Sequence, residues 1–287
     1  MNARRFNLTA ASVMGAAFAA LLALVACDKV TGPPLPGDAQ QFSPPVVYSK
    51  WWQMTRECSG LSGSLESVSW FKTDQVQHDA RSGEVIIGYF TTDGNKIVMS
   101  SGYILDGGAV RHEMLHALLR QPGHPRAQFL GSCAGTVDCQ GPCISDGGAY
   151  PAPPETPMLL SADGLIMSVQ VDPQNPGGGQ NGDYFTITVF ARNPTTNWAS
   201  IIPLFPDVDT TRTFSFVITG ANGGMGGGGI LMDPSQRIFA PGETKRMVFD
   251  FNVGDAPFGN QLNPGSYIAR GAFSTFWSTD LPFVVTR

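Results

Sequence analysis

His112 and His116 stand four positions apart, with Glu113 beside the first of them. On a helix, positions i and i+4 share a face one turn apart, so both imidazoles can hold one ion. Imidazole pairs of this kind suit zinc, which lowers the pKa of a bound water toward neutrality. A carboxylate at Glu113 is placed to take that water's proton and return it to a leaving amine. The chain has only four histidines in 287 residues, so the pairing is specific. A catalytic zinc takes three protein ligands and keeps its fourth position open. His124, eight residues after His116 and just past Pro122-Gly123, is the candidate third ligand. Structural zinc closes on four protein ligands; three candidates favour catalysis over a purely structural ion. The fourth histidine, His78, lies in the polar stretch TDQVQHDARSG and reads as surface. Tyr103, Arg126 and Tyr150 are candidate oxyanion donors with no motif around them.

The run His112-Glu113-Met114-Leu115-His116 resembles the zinc-binding helix turn of zincin metalloproteases. The metzincin spacing, with a third histidine six residues on and a glycine between, is not here. Gluzincins use a glutamate from a second helix, and the sequence shows no second helix to carry one. With Ala117, Gly123-His124-Pro125 and Phe129, the segment is similar to the SprT-like (Spartan) pattern, although the spacer is shorter. There a third histidine follows a glycine after the helix, and an aromatic comes a few residues later. The resemblance implies an α+β zincin-like domain, a small antiparallel sheet beside the helix, and Zn2+ held by His112, His116 and His124. It also implies Glu113 as general base and a peptide or protein substrate lying extended along an edge strand.

The elements that must position these groups are readable nearby. Asp106 can cap a helix over 108–120, whose apolar residues Val110, Met114, Leu115, Leu118 and Leu119 recur at helical spacing. Pro122-Gly123 ends it. Strand-like runs cover 67–73, 84–90 and 96–100; the last two form a hairpin through Thr92-Asp93-Gly94-Asn95, and either could be the edge. Val47, Tyr48, Trp51 and Trp52 form an apolar cluster where ordered structure begins, read as core.

Arg4 and Arg5 precede an uncharged apolar stretch over 10–25, the pattern of an export signal. It ends in Leu24-Val25-Ala26-Cys27, which resembles the lipobox of bacterial lipoproteins and implies lipidation of Cys27. The chain is then expected to be an exported lipoprotein held at the cell envelope, with the membrane as partner through its anchor. Four cysteines remain, Cys58, Cys133, Cys139 and Cys143, and an even count in an exported chain reads as two disulfides. The favoured pairing is Cys58–Cys133 with Cys139–Cys143; a second zinc site is the competing reading. Residues 28–45 are rich in Pro and Gly and read as a flexible tether.

The second half differs in texture. After a Pro-rich linker over 151–160, six strand-like runs cover 165–171, 184–192, 213–219, 245–251, 267–272 and 282–286. No helical periodicity intervenes, so an antiparallel sandwich over 161–287 is expected. The glycine run 223–229 reads as a loop in it, and Trp198 and Trp277 as core. Its APGET turn and PGxY strand entrance resemble bacterial immunoglobulin-like modules, including the BsuPI type. The fold class is therefore an α+β domain over 46–150 followed by an all-β immunoglobulin-like domain, after a signal segment over 1–27.

With 14% charged residues and a net charge of −5, the chain lacks the basic surface that nucleic acid requires. Two functions follow from the motif: a lipid-anchored zinc metallopeptidase, or a catalytically inactive zinc-binding envelope scaffold acting through its β domain. Neither sets an oligomeric state.

Overall fold

Two helices of equal length, 13 residues each, lie side by side in the N-terminal half. The first, α1 (Val47–Ser59), turns Tyr48, Trp51, Trp52, Thr55 and Cys58 inward, a spacing that makes one apolar face. The second, α2 (Gly107–Leu119), begins at Asp106, whose carboxylate accepts from the Ala109 amide at 2.9 Å as expected. It ends earlier than expected, because Arg120 adopts a left-handed conformation and its amide bonds back to the His116 carbonyl. The structure is a computed structural model describing residues 34–75, 77–78, 85–139, 158–159, 164–174, 176–177, 184–200, 212–220, 223–225, 229–231, 238–253, 262–273 and 276–286. The expected signal segment with Cys27, and also Cys143 and Tyr150, lie outside these residues. Among the described residues no helix is long and apolar enough to cross a membrane.

The strands of this half are β1 (Gln40–Gln41), β2 (Ser69–Thr73), β3 (Gln77–His78), β4 (Val85–Ile86), β5 (Gly88–Thr91) and β6 (Lys96–Ser100). Four of them form a sheet in the order β1-β2-β6-β5, which is mixed rather than antiparallel as expected, because β2 and β6 run parallel. The single run expected over 84–90 is therefore two strands, β4 pairing with β3 and β5 with β6. Between the two expected edges the sheet order decides: β5 is the edge and β6 is interior. Trp70, Ile97 and Met99 of the sheet meet Trp51, Trp52, Val110 and Met114 of the helices in one apolar core.

The described part of the expected tether is instead docked. The Asp38 carboxylate accepts from the Thr73 hydroxyl at 2.6 Å and the Asp74 amide at 3.0 Å. Phe42 then packs edge-on to Tyr48 and Trp70, at 6.4 and 6.3 Å between ring centres. Polar, proline-rich composition concealed this, because two anchor residues suffice to hold such a short segment.

The C-terminal half is all strand in its described residues. It comprises β7 (Met158–Leu159), β8 (Ile166–Asp172), β9 (Tyr184–Arg192), β10 (Ala199–Ser200), β11 (Arg212–Gly220), β12 (Gly223–Met225), β13 (Gly229–Leu231), β14 (Ile238–Phe239), β15 (Thr244–Asn252), β16 (Gly265–Phe273), β17 (Phe276–Trp277) and β18 (Leu281–Val285). All six expected long strands are present. A three-stranded sheet, β15-β9-β8, faces a six-stranded sheet built on β11 and β16 across a phenylalanine-rich core. Phe216 of one sheet meets Phe249 and Phe251 of the other at 4.8 and 5.0 Å between ring centres. Three expectations are corrected here. Gly223–Met225 and Gly229–Leu231 pair with β11 rather than forming one loop. Met158–Leu159, placed in the linker, pairs with β10. Trp277 is half exposed rather than core, since β17 lies at the rim of its sheet. Among its described residues the chain is thus an α+β protein, mostly strand, with two principal helices.

Candidate metal centre

His112 and His116 lie on the middle turns of α2, and His124 returns to them from the turn beyond its end. Their imidazole ring centres are 4.9, 5.1 and 4.8 Å apart, nearly an equilateral triangle. The Nε2 atom of His112 lies 3.1 Å from that of His116 and 3.1 Å from that of His124. One ligand atom from each residue lies within 4.8 Å of the others, close enough to bind a metal ion.

The backbone orients two of the rings. His112 Nδ1 meets the Asp138 carbonyl, and His116 Nδ1 meets the Gln121 carbonyl at 3.0 Å. A ring that donates through Nδ1 leaves a bare lone pair at Nε2. His112 and His116 therefore aim two lone pairs at one point, where a cation removes their repulsion. Such outer bonds fix ring orientation in metal sites. Below the three rings lies Phe129, fully buried, its ring centre 4.9, 4.8 and 4.9 Å from those of His112, His116 and His124. It sits in a short, wide helical turn, Ala127–Ser132, that closes an apolar floor under the site.

Burial sets the charge states. It pulls the His112 imidazole down to about 4, with the Asp138 carbonyl opposing and His124 adding to the shift. Burial also pulls His116 well below the usual histidine range, and His112 and His124 deepen it. At neutral pH both rings are neutral and ready to bind a metal. Burial pushes the Glu113 carboxyl the other way, up to about 8. Its Oε2 atom is buried without a hydrogen-bond partner, and its Cγ would lie 3.1 Å from a Cβ added at Gly88 on the edge strand β5.

The remaining candidates separate. Cys58 and Cys133 form the expected disulfide, tying the last turn of α1 to the end of the Phe129 turn across 75 residues. Cys139 is disulfide-bonded as well. His78 is exposed, as expected. Tyr103 is exposed on the turn after β6, and Arg126 precedes the Phe129 turn; neither belongs to the histidine group. A second helix is present after all, but its Glu57 is exposed, accepts from Gln53, and stands outside that group.

Sequence reasoning missed one pair beside the site. Arg111, 1% exposed and adjacent to His112, forks onto Asp250 of β15, with Nη1 and Nη2 at 2.8 and 2.7 Å from the two carboxylate oxygens. A charge on a helix with so few polar positions was the available signal.

No protein-family model matches the chain, and no curated protein is a match. Among solved structures, the Pseudomonas fluorescens alkylpurine DNA glycosylase AlkC bound to DNA containing an abasic site analog is similar over 43% of this chain and 31% of its own, at 9% identity and TM-score 0.28. A beta-glucosidase from Listeria innocua in complex with glucose is similar over 43% of this chain and 16% of its own, at 9% identity and TM-score 0.27. The structural genomics target SoR45 covers 44% of this chain and 89% of its own, at 17% identity and TM-score 0.24. The chain spans less than a third of the glycosylase and less than a fifth of the glucosidase. Likenesses this slight bear on neither the site nor its chemistry. What the chain carries in its own right is three histidines, His112, His116 and His124, close enough together to bind a metal ion.

Proposed function

We propose that the protein is a zinc metallopeptidase, held at the cell envelope through lipidated Cys27. The observation that carries this reading is the convergence of His112, His116 and His124, with Glu113 next to His112 on the same helix, its Oε2 buried and unpartnered and its Cγ against the strand β5. The donor set fits zinc. With Zn–N bonds of about 2.0–2.1 Å, a tetrahedral edge is about 3.3 Å, and two Nε2 separations are 3.1 Å. Three protein ligands leave the fourth position free for water or substrate.

When bound there, zinc would acidify water and polarise the scissile carbonyl. Glu113 takes the proton from the attacking water and passes it to the leaving amine. Phe129 keeps bulk water from below the rings. Among the described residues β5 pairs only with β6, so its other edge offers backbone groups to an extended peptide. Gly88 keeps that edge close to Glu113, where any side chain would meet Met99 and the carboxyl's own stem. The C-terminal half is read as an immunoglobulin-like sandwich. In support, the Tyr267 hydroxyl donates to the Asn263 carbonyl at 2.9 Å, the tyrosine-corner arrangement of that fold.

The test pairs metal analysis with Glu113→Gln. Wild type should hold one zinc per chain and cleave unfolded protein substrates, while the variant keeps its zinc and loses cleavage. Stoichiometric zinc in a wild type that cleaves no unfolded substrate would reject the peptidase and leave the zinc-binding scaffold.

A further inference from the structure

The strand β15 closes one edge of its sheet and alternates its residues between two destinations. Met247, Phe249 and Phe251 enter the core of the C-terminal half. The intervening residues meet the metal-bearing half instead. Arg246 Nη2 donates to the Ser132 carbonyl at 3.1 Å, and the Val248 amide donates to the Gly135 carbonyl at 2.8 Å. Asp250 takes both arms of Arg111 and a third bond from Trp51 Nε1 at 3.2 Å.

These contacts converge on one loop. Arg111 sends its remaining Nε–H to the Thr136 carbonyl, and the Asp138 amide bonds to Gly108 at the start of α2 at 3.1 Å. The same loop ends at the Asp138 carbonyl, the group that orients His112. Gly135 allows the approach: a Cβ there would lie 1.8 Å from the Arg246 carbonyl oxygen, and its φ of +72° already favours glycine. Gly107 is equally confined, since a Cβ would come within 2.5 Å of the Asp250 carboxylate.

We propose that Asp250 is a positioning residue for the metal centre, acting through Arg111 and the loop 133–138 on the ring of His112. The C-terminal half is then a structural part of the site rather than a module carried on a linker. A buried arginine without its carboxylate is strongly unfavourable, so α2 and the loop hold their relative placement only while β15 is seated. Outer partners of metal ligands influence affinity by about 10–100-fold when removed. The inference rests on the reading of the three histidines as a metal site, and not on peptide hydrolysis.

The experiment measures zinc affinity of the full chain by competition with a chelator, together with the visible spectrum of the cobalt-loaded protein. Asp250→Asn should weaken zinc binding by about 10–100-fold and change the cobalt spectrum, and Asp250→Glu should recover part of both. A paired Arg111→Met/Asp250→Leu variant removes both charges, so neither is left uncompensated and the fold is preserved. It should still show the weaker zinc binding and altered spectrum, which carries the test where Asp250→Asn does not fold. Wild-type zinc affinity and an unchanged cobalt spectrum in the paired variant would overturn the inference while leaving the metal site standing. A wild type that binds neither metal would overturn the metal site itself, and this inference with it.

Discussion

The helices α1 and α2 have the same length and share one core, yet they meet solvent differently. α1 buries one face and leaves Ser49, Gln53, Arg56 and Glu57 exposed. α2 buries ten of its 13 residues, among them Arg111 and Glu113. The difference comes from what covers α2 on its other sides: β15 over Gly107 and Arg111, β5 beside Glu113 and the Phe129 turn against Leu115. Burial on both sides makes every charge on α2 either compensated or costly. Arg111 is compensated, by Asp250, Thr136 and the face of Trp51, 5.9 Å from its guanidinium. Glu113, two residues on, is not. Arg111 is held as a compensated charge, whereas Glu113 keeps its proton up to about pH 8.

The largest effect that would break this contrast is on turnover. Glu113→Gln should lower the rate of peptide cleavage by about 10²–10⁴-fold, the usual contribution of a positioned acid–base group, with zinc content unchanged. Steady-state kinetics beside metal analysis checks it. A variant with wild-type turnover would make Glu113 a mere buried oddity, no different in kind from Arg111.

Next comes stability. Arg111→Met strands Asp250 and frees the Thr136 carbonyl, and should destabilise the metal-free protein by about 3–5 kcal/mol in urea unfolding. The same experiment on Glu113→Gln should show no such loss. Equal losses from both would erase the distinction between a compensated and an uncompensated charge.

Part of this contrast could be read in the sequence and part could not. The site itself was legible, because His112, Glu113 and His116 obey helical spacing and Asp106 signals the start of their helix. The long strands of the C-terminal half were equally plain, since each alternates apolar and polar residues between turns. α1 was read only as an aromatic cluster. Its inward positions 48, 51, 52, 55 and 58 have helical spacing, but Tyr and Trp have modest helix propensity and Val46 supplies no capping side chain. The seat of β15 left no trace, because what Gly135 and Asp250 meet depends on chain more than a hundred residues away. A glycine that is obligatory for close approach looks in sequence like any glycine in a turn.

A third measurement sharpens the contrast through pH. Glu113 holds its proton up to about pH 8 in the folded protein and releases it near 4.5 when unfolded. Between those values the folded state binds more protons at Glu113, so this group's contribution to the stability of the metal-free protein falls as pH rises. His112 acts in the opposite sense over a lower window. From about pH 4 to 6.5 the unfolded chain is the more protonated state, and stability rises with pH. His116 has the same sign. Metal-free wild type should therefore be most stable near pH 6.5, losing on the order of 1 kcal/mol by pH 8. Glu113→Gln should keep the acid limb and lose the alkaline one, measured by urea unfolding in the presence of a chelator. An alkaline fall of the same size in the variant would assign it to another group.

The smallest effect tests where α1 meets the seat of β15. Trp51 contributes its indole N–H to Asp250 and its face to Arg111, so it joins the two helices to the strand at one point. Trp51→Phe keeps an aromatic face and most of the buried area but removes the N–H donor. The loss should be about 1 kcal/mol, since Asp250 retains both bonds from Arg111. Zinc affinity should not move, because the path from Asp250 to His112 runs through Arg111 and Thr136 and not through α1. Thermal unfolding and chelator competition on the same variant separate the two quantities. A tenfold loss of zinc affinity in Trp51→Phe would mean that α1 also orients the ligands. The helices would then share one task rather than divide it.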